Sequence, residues 1–135
     1  MTELEIYIRA RYPLIYLVSY EEERAVATVK ALATTLRKDV VTWSFTEGLG
    51  GDRTLSDPLA ALEAIGSADT RSLYVMRDMH AYFGNPAVVR KLRELGASLK
   101  SSAKSLILLS PVLRLPPELT KDVTVVDFPT PDAAT

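Results

Sequence analysis

The chain contains no cysteine, a single histidine and a single tryptophan. Without cysteine it has no disulfide, no thiolate nucleophile and no sulfur ligand for a metal. One histidine alone leaves a zinc site of the usual kind short of ligands, so we expect no metal site. No apolar run reaches the roughly 18 residues that a membrane-spanning helix needs, and we expect no membrane partner.

Neither sign of charge is in excess, with 16 basic and 17 acidic residues and a net charge of -1. This balance gives no overall attraction to nucleic acid or to an anionic membrane, and binding of either would need a local patch. The first residues, Met1 to Arg11, carry charges among their apolar positions, so they lack the apolar centre of a secretory signal. We therefore expect a cytoplasmic location and no nucleic-acid partner.

Short, nearly continuous apolar runs recur along the chain, as is typical of parallel strands that are covered on both faces. They are Leu14–Val18, Val40–Trp43, Leu73–Met76, Leu106–Leu109 and Val123–Val126. The sequence predicts a three-layer α/β domain over residues 1–129, with a mostly parallel five-stranded sheet and Rossmann-like topology. The stretch after it, residues 130–135, is predicted to be a proline-rich linker or tail.

Segments with helical spacing separate the predicted strands, as parallel strands require. Apolar residues recur on one face in two of them: Ala25, Val29, Leu32 and Leu36, and then Val88, Leu92, Leu95 and Leu99. Asn85 with Pro86 predicts the start of the second helix, and Ser56 or Asp57 with Pro58 predicts the start of a shorter one. A short amino-terminal helix is expected to end near Tyr12, because Pro13 follows.

The residues after the first strand decide whether the sheet can bind a nucleotide, because ligands bind beyond the carboxyl ends of parallel strands. A phosphate-binding loop reads G-x-x-x-x-G-K-[ST], but here Ser19 and Tyr20 are followed by Glu21, Glu22, Glu23 and Arg24. Carboxylates in a first helical turn stabilise the helix by about 0.3 to 1 kcal/mol each. A like-charge contact with phosphate costs about 4 kcal/mol at 4 Å. We predict that these residues exclude nucleotide phosphate; the alternative is a site for a cation or amine.

Polar residues also end the third and fourth strands. Asp78 stands where a nucleotidase of this topology holds its magnesium aspartate, but Met79 replaces the catalytic glutamate, and a turn or cap role is predicted. Ser110 is placed either to sense a γ-phosphate or simply to close its strand, and His80 is expected to pack or cap. The sequence predicts a P-loop-like topology that lacks its Walker A motif.

Three further segments are candidate surfaces. The glycine-bearing loop between Ser44 and Leu55, which contains "EGLGGDRT", has the wrong spacing for phosphate and is predicted to be a mobile surface loop. Tyr82 and Phe83 are predicted either to anchor a partner or to cover the sheet edge. Arg90 and Arg93 lie on a predicted helix and form either its solvated side or part of a surface that binds a partner. The segment Leu113–Leu119 is a further candidate surface.

The order of these blocks resembles the N-terminal region of a family of AAA-type ATPases found in cyanobacteria and as a conserved open reading frame of algal plastids. The resemblance runs from Ala10 to Pro129, through "ARYPLIYLVSYEEERA", "WSFTEGLGG", "LYVMRDMHAYF" and "SLILLSPVLRLPPEL". It implies a degenerate P-loop-like domain that precedes a complete AAA module, in which ATP and magnesium are bound. This chain would then carry no cofactor.

We accordingly expect a non-catalytic regulatory or partner-binding domain. Its partner would be another protein or its own AAA module, with homo-oligomers forming through the parent protein. The resemblance adds a plastid-stroma-like compartment to the cytoplasm as a location. Two alternatives stay open: a weak nucleotide hydrolase that uses Asp78, Ser110 and Arg53, and a small-ligand sensor in the crevice at the strand ends.

Overall fold

The computed structural model describes residues 2–68 and 71–129. The predicted tail, residues 130–135, lies outside the described residues. Within them the helices are α1 (Glu3–Arg9), α2 (Glu22–Thr35), α3 (Pro58–Ser67) and α4 (Pro86–Ser98). The strands are β1 (Leu14–Val18), β2 (Asp39–Ser44), β3 (Gly48–Leu49), β4 (Ser72–Arg77), β5 (Ser105–Ser110) and β6 (Thr124–Asp127).

The strands form a single mixed sheet in the order β3-β2-β4-β5-β1-β6. All neighbouring pairs are parallel except β2 and β3, which are antiparallel. The predicted α/β class and mostly parallel sheet are confirmed. The strand count was wrong, since the described sheet has six strands rather than five.

Alternate residues of the strands enter two separate cores, one on each face of the sheet. On β1, Leu14 and Tyr16 pack with α3 and α4, whereas Ile15 and Leu17 pack with α1 and α2. The same alternation holds along β4 and β5. Because both faces are covered by helices, the strands read as continuous apolar runs, and the layers are helix, sheet and helix.

The extra strand comes from the segment that was predicted to be a mobile surface loop. Gly48 is buried with φ +78°, and the Gly50 N–H donates to the Thr42 carbonyl at 2.8 Å. The indole N–H of Trp43 donates to the Leu55 carbonyl at 2.9 Å. These bonds fold the segment back onto β2, so the loop prediction is corrected to a short hairpin followed by a 3-10 turn, Arg53–Leu55.

Both predicted helix starts carry the expected cap. Asp57 Oδ2 accepts the Ala60 N–H at 3.0 Å, and Asn85 Oδ1 accepts the Ala87 N–H at 3.0 Å. Each cap is followed by a proline in the first turn, where its missing N–H costs nothing. Asp57 rather than Ser56 is therefore the cap residue of α3.

The carboxyl terminus of α3 is held by a lysine that the sequence analysis did not single out. Lys104 is buried, and its Nζ donates to the carbonyls of Ile65 at 3.0 Å, Gly66 at 3.3 Å and Ala68 at 2.6 Å. The last carbonyls of a helix have no partner within the helix, so this ammonium group satisfies them.

Across residues 2–68 and 71–129, no helix combines the length and the apolar character that crossing a bilayer requires.

Candidate functional site

The carboxyl ends of the parallel strands meet at one edge of the sheet, and the predicted site residues meet there too. The Ser19 N–H donates to the Ser110 carbonyl at 3.0 Å, and the Asp78 N–H donates to the Leu109 carbonyl at 3.0 Å. The structure thus brings Ser19, Asp78 and Ser110 onto neighbouring strand ends, as the predicted parallel sheet requires.

Two backbone amides just before α2, those of Ser19 and Glu21, are already bonded within the protein. The buried Ser19 uses its N–H for the bond to β5, and its Oγ accepts the Glu21 N–H at 3.0 Å. A phosphate-binding loop works through free, converging backbone N–H groups. Two of the amides in this turn are therefore engaged before any ligand arrives.

Two of the three glutamates of the same turn are paired with arginines. Glu21 Oε2 accepts a hydrogen bond from Arg24 Nε at 2.6 Å. Glu22 Oε1 lies 3.4 Å from Nε of Arg77, the last residue of β4; this contact is an ion pair without hydrogen-bond geometry. Glu23 is exposed. The three carboxylates give the turn a negative surface that two internal cations balance in part.

Arg24 closes the crevice above β1 from its other side. Its guanidinium carbon lies 4.4 Å from the centre of the Phe128 ring, and its Nη2 donates to the Pro129 carbonyl. The cavity that is left measures about 270 Å³, and Ser19, Tyr20, Glu21, Arg24 and Phe128 contribute to its lining. An acidic group and aromatic rings of the protein therefore line the space beyond the end of β1.

Asp78 forms the turn after β4. Its backbone is left-handed, with φ +61° and ψ +32°, a conformation that aspartate tolerates better than most residues. The exposed carboxylate makes no capping hydrogen bond. Burial, and then the charge of Asp78, raise the pKa of the nearby Tyr82 phenol.

The hydroxyl of Ser110 belongs to a network of internal hydrogen bonds. It donates to the Val112 carbonyl at 3.0 Å and lies 2.8 Å from Nδ1 of His80. The Tyr16 hydroxyl donates to the same carbonyl at 2.5 Å and accepts the Arg114 N–H at 3.2 Å. Because the Ser110 proton is directed to Val112, we assign the His80 proton to Nδ1. The Ser110 hydroxyl is thus engaged with His80 and Val112 inside the protein.

A metal site at this edge would need several carboxylate or imidazole ligands close together. Among the residues that the structure describes, no three carboxylate or imidazole side chains come together in a group able to hold a metal ion. Asp78 therefore does not belong to a group of three such ligands within the described residues.

Three of the four predicted partner residues line one groove, which we call the Phe83 groove. It has a volume of about 310 Å³, and its lining residues are Phe83, Gly84, Pro86, Val89, Arg90, Arg93 and Glu118. Both arginines are largely exposed and make only surface ion pairs, Arg90 with Glu94 at 3.1 Å and Arg93 with Asp122 at 3.8 Å. Such pairs contribute little to stability, so a partner can replace them.

Tyr82 lies apart from the Phe83 groove. Its ring stacks on Phe45 at 5.9 Å and meets the edge of Trp43 at 6.0 Å. Phe45, which was not among the residues predicted from the sequence, is 56% exposed and follows directly after β2, two positions beyond the buried Trp43. Of the two alternatives for the aromatic pair, Tyr82 fits the role of covering the sheet near β2, whereas Phe83 faces the groove.

The strand order and the residues at the carboxyl edge of the sheet define a Rossmann-like α/β domain that has no Walker A motif after β1. The family model for the N-terminal domain of SpoVK-like AAA ATPases matches residues 1–128, and the chain belongs to this family. The family inferred from the sequence is confirmed.

The relatives of the chain are longer proteins. It is 32% identical to the AAA domain-containing protein ycf46 of Guillardia theta, over 96% of this chain and 27% of that protein. It is 28% identical to proteins of the same name from Trieres chinensis and Pyropia yezoensis, again over 96% of this chain and 28% of each. The chain thus spans little more than a quarter of the length of these relatives.

Proposed function

We propose that this domain is a non-catalytic regulatory domain that binds the AAA module of its own protein through the Phe83 groove. In this proposal ATP and magnesium are bound by the AAA module and not by the residues described above. No nucleic acid or membrane takes part, homo-oligomers form through the AAA module, and the setting is the cytoplasm or a plastid-stroma-like compartment.

The observation that carries the proposal is the set of internal hydrogen bonds among the groups that line the crevice above β1. Glu21 and Arg24 bond to each other at 2.6 Å there, and Ser19 Oγ accepts the amide that a phosphate would need. A triphosphate would have to break these bonds and also approach Glu22 and Glu23. The electrostatic cost of such like-charge contacts is several kcal/mol, which leaves binding of another protein as the function that this domain supports best.

The composition of the Phe83 groove supports its role as the contact surface. Aromatic residues and arginine concentrate the binding energy of protein interfaces, and Phe83, Arg90 and Arg93 lie together in one concave surface. Glu118 adds an acidic group on the same rim, so the groove can pair with both signs of charge. The relatives are named as AAA domain-containing proteins, and the part of them beyond this match is long enough for such a module.

The proposal is tested with probes attached at single cysteines, because the chain has none of its own. Arg90→Cys places a fluorophore in the Phe83 groove, and Lys30→Cys places it on the exposed face of α2, on the other side of the sheet. Titration of each labelled chain with the AAA module of the full-length protein should give a saturable change for the Arg90→Cys probe alone. Equal responses from both probes, or none from either, would contradict the proposal.

A second test uses the full-length protein. Phe83→Ala combined with Arg93→Glu should change the rate of ATP hydrolysis several-fold, because hot-spot residues of this kind are worth about 2 kcal/mol or more. Lys30→Glu makes the same kind of charge reversal away from the groove and should leave the rate unchanged. If both variants hydrolyse ATP at the same rate, the Phe83 groove does not regulate hydrolysis, and the proposal is overturned.

The hydrolase alternative receives no geometric support. Arg53 lies in the 3-10 turn that follows β3, at one margin of the sheet, while Ser110 ends the central strand β5 and is bonded to His80. Two strands, β2 and β4, separate β3 from β5 in the sheet, which counts against a site shared by Arg53 and Ser110. The small-ligand alternative would have to use the cavity of about 270 Å³ beside Arg24, where acidic and aromatic groups already interact.

A further inference from the structure

A second cavity lies at the opposite edge of the sheet, where the parallel strands begin. It has a volume of about 170 Å³ and is lined by two apolar side chains, Ile8 and Leu36, and four basic ones: Arg9, Arg11, Lys38 and Arg71. We call these four residues the basic cluster. They come just before β1, β2 and β4 in the chain, so the parallel arrangement of the strands is what gathers them.

Among residues 2–68 and 71–129, carboxylates balance only part of the charge of the basic cluster. Arg9 Nε pairs with Glu5 Oε2 at 2.9 Å. Within the described residues Arg11, Lys38 and Arg71 make no ion pair, and Asp39, which follows Lys38, makes none either. The chain as a whole has a net charge of -1, so this concentration of cations is not a consequence of its composition.

The cations of the cluster are close enough to repel one another. The pKa of the Lys38 ammonium is lowered from its ordinary value, first by burial and then by the charges of Arg11 and Arg71. Lys38 Nζ also donates to the Ala103 carbonyl at 3.1 Å, which fixes the group beside the cavity. Like charges held close together lower stability, and a bound anion would reduce that cost.

The left-handed backbone conformation of Arg11 supports a role for its side chain independently of the charges. Arg11 has φ +61° just after the end of α1, and Arg37 has φ +57° just after the end of α2. Glycine is the usual residue at such left-handed helix ends. A cation there also interacts favourably with the helix dipole. That interaction accounts for one cation at each helix end, but not for Lys38 and Arg71 at the same cavity.

We propose that the basic cluster binds a phosphate group, either free inorganic phosphate or the terminal phosphate of a small molecule. The planar guanidinium groups of Arg11 and Arg71 present paired N–H donors that match two phosphate oxygens, and Lys38 adds a point charge. The cavity of about 170 Å³ has room for one phosphate group. In a phosphate ester, the carbon attached to the phosphate could contact the apolar lining residues Ile8 and Leu36. This site is separate from the Phe83 groove and from the crevice above β1.

The test is an NMR titration of the whole 135-residue chain with inorganic phosphate, pyrophosphate or AMP, at constant ionic strength held with potassium chloride. The expected result is a saturable shift of the Arg11 and Arg71 Nε–H signals and of the Lys38 amide. Tighter binding of AMP than of inorganic phosphate would identify a phosphate ester as the ligand, and the reverse order would identify the free ion. Shifts that do not saturate with any of the three would overturn the proposal.

Two matched glycine substitutions separate the site from the fold. Arg11→Gly should lower phosphate affinity about tenfold, the loss typical of one charge-assisted hydrogen bond. Its stability in urea should stay equal or rise, because glycine suits the left-handed backbone. Arg37→Gly makes the same backbone change at a residue that does not line the cavity, and should alter affinity by no more than about twofold. Arg71→Gln, which leaves α1 intact, should match the loss of Arg11→Gly. Equal affinities for all three variants would contradict the assignment.

Discussion

The guanidinium carbon of Arg24 lies 4.4 Å from the centre of the Phe128 ring. This contact joins the first turn of α2 to the residue that follows β6, across the carboxyl edge of the sheet. The same guanidinium bonds to Glu21 at 2.6 Å and to the Pro129 carbonyl. The protein's own groups therefore span the crevice that a P-loop would leave for phosphate.

Replacing Arg24 with alanine should destabilise the domain by about 1 kcal/mol. An exposed cation–π contact and a surface ion pair each contribute up to about that amount, and they share one side chain here. Urea unfolding measures the change, with Lys30→Ala on the exposed face of α2 as the control. If both variants unfold at the same urea concentration, the contacts of Arg24 do not stabilise the domain.

Gly48→Ala should be among the most damaging substitutions in the chain. An added Cβ would lie 1.9 Å from the Asp52 carbonyl oxygen, and φ is already +78°. We expect a loss of more than about 3 kcal/mol in the free energy of unfolding. Gly51→Ala shares the positive φ, at +87°, but meets no atom within 4 Å, and should cost about 1 to 2 kcal/mol. Similar losses would mean that the hairpin is less tightly packed than described.

Lys104→Met should cost about 2 kcal/mol or more, because it removes three charge-assisted hydrogen bonds to carbonyls at the carboxyl end of α3, one of them buried. The methionine fills a similar volume, which limits any loss of packing. Lys100→Met, at an exposed position nearby, serves as the control and should stay within about 0.5 kcal/mol of the parent. Thermal unfolding of both variants measures the difference, and equal midpoints would show that the three hydrogen bonds contribute nothing.

The carboxylate of Asp52 gives a pH-dependent prediction. Asp52 Oδ1 accepts the Thr54 hydroxyl at 2.6 Å and the Thr54 N–H at 3.0 Å, and these bonds lower the pKa of Asp52 below 3.8. The contribution of Asp52 to stability is thus present above pH 3.8 and is lost as the pH falls through the lowered pKa. Thr54→Val should raise the pKa of Asp52 towards its ordinary value in a carboxyl ¹³C titration. Thr46→Val, which removes no bond to Asp52, should leave it unchanged; the opposite pattern would assign the shift to another cause.

Much of the fold followed from the sequence, because continuous apolar runs and Asx-Pro helix starts have direct physical causes. The run Leu14–Val18 matches β1 at both ends, and Asp57 and Asn85 cap the helices they precede. The strand β3 was missed because it is two residues long and depends on a buried glycine and on the bond from Trp43 to Leu55. Neither feature leaves a periodic signal.

The candidate site was predictable only as a set of positions. Parallel strands that end together place Ser19, Asp78 and Ser110 at one edge, whatever their side chains do. Contacts between residues distant in sequence were not predictable: His80 bonds to Ser110, and Arg24 packs on Phe128. The basic cluster was hidden for the same reason, since its members meet only when the strands are ordered.

Residue-specific mapping of MgATP binding shows whether the turn at the start of α2 binds nucleotide phosphate. Amide signals of residues 19–24 are followed by NMR while the nucleotide is raised to the millimolar range. We predict no saturable shift at these six positions, because the amides of Ser19 and Glu21 and the carboxylates of Glu21 and Glu22 are engaged within the protein, and Glu23 adds a further negative charge. Shifts confined to Arg11, Lys38 and Arg71 belong to the separate basic cluster and agree with the account. Saturable shifts at residues 19–24, with a dissociation constant below about 100 μM, would contradict it.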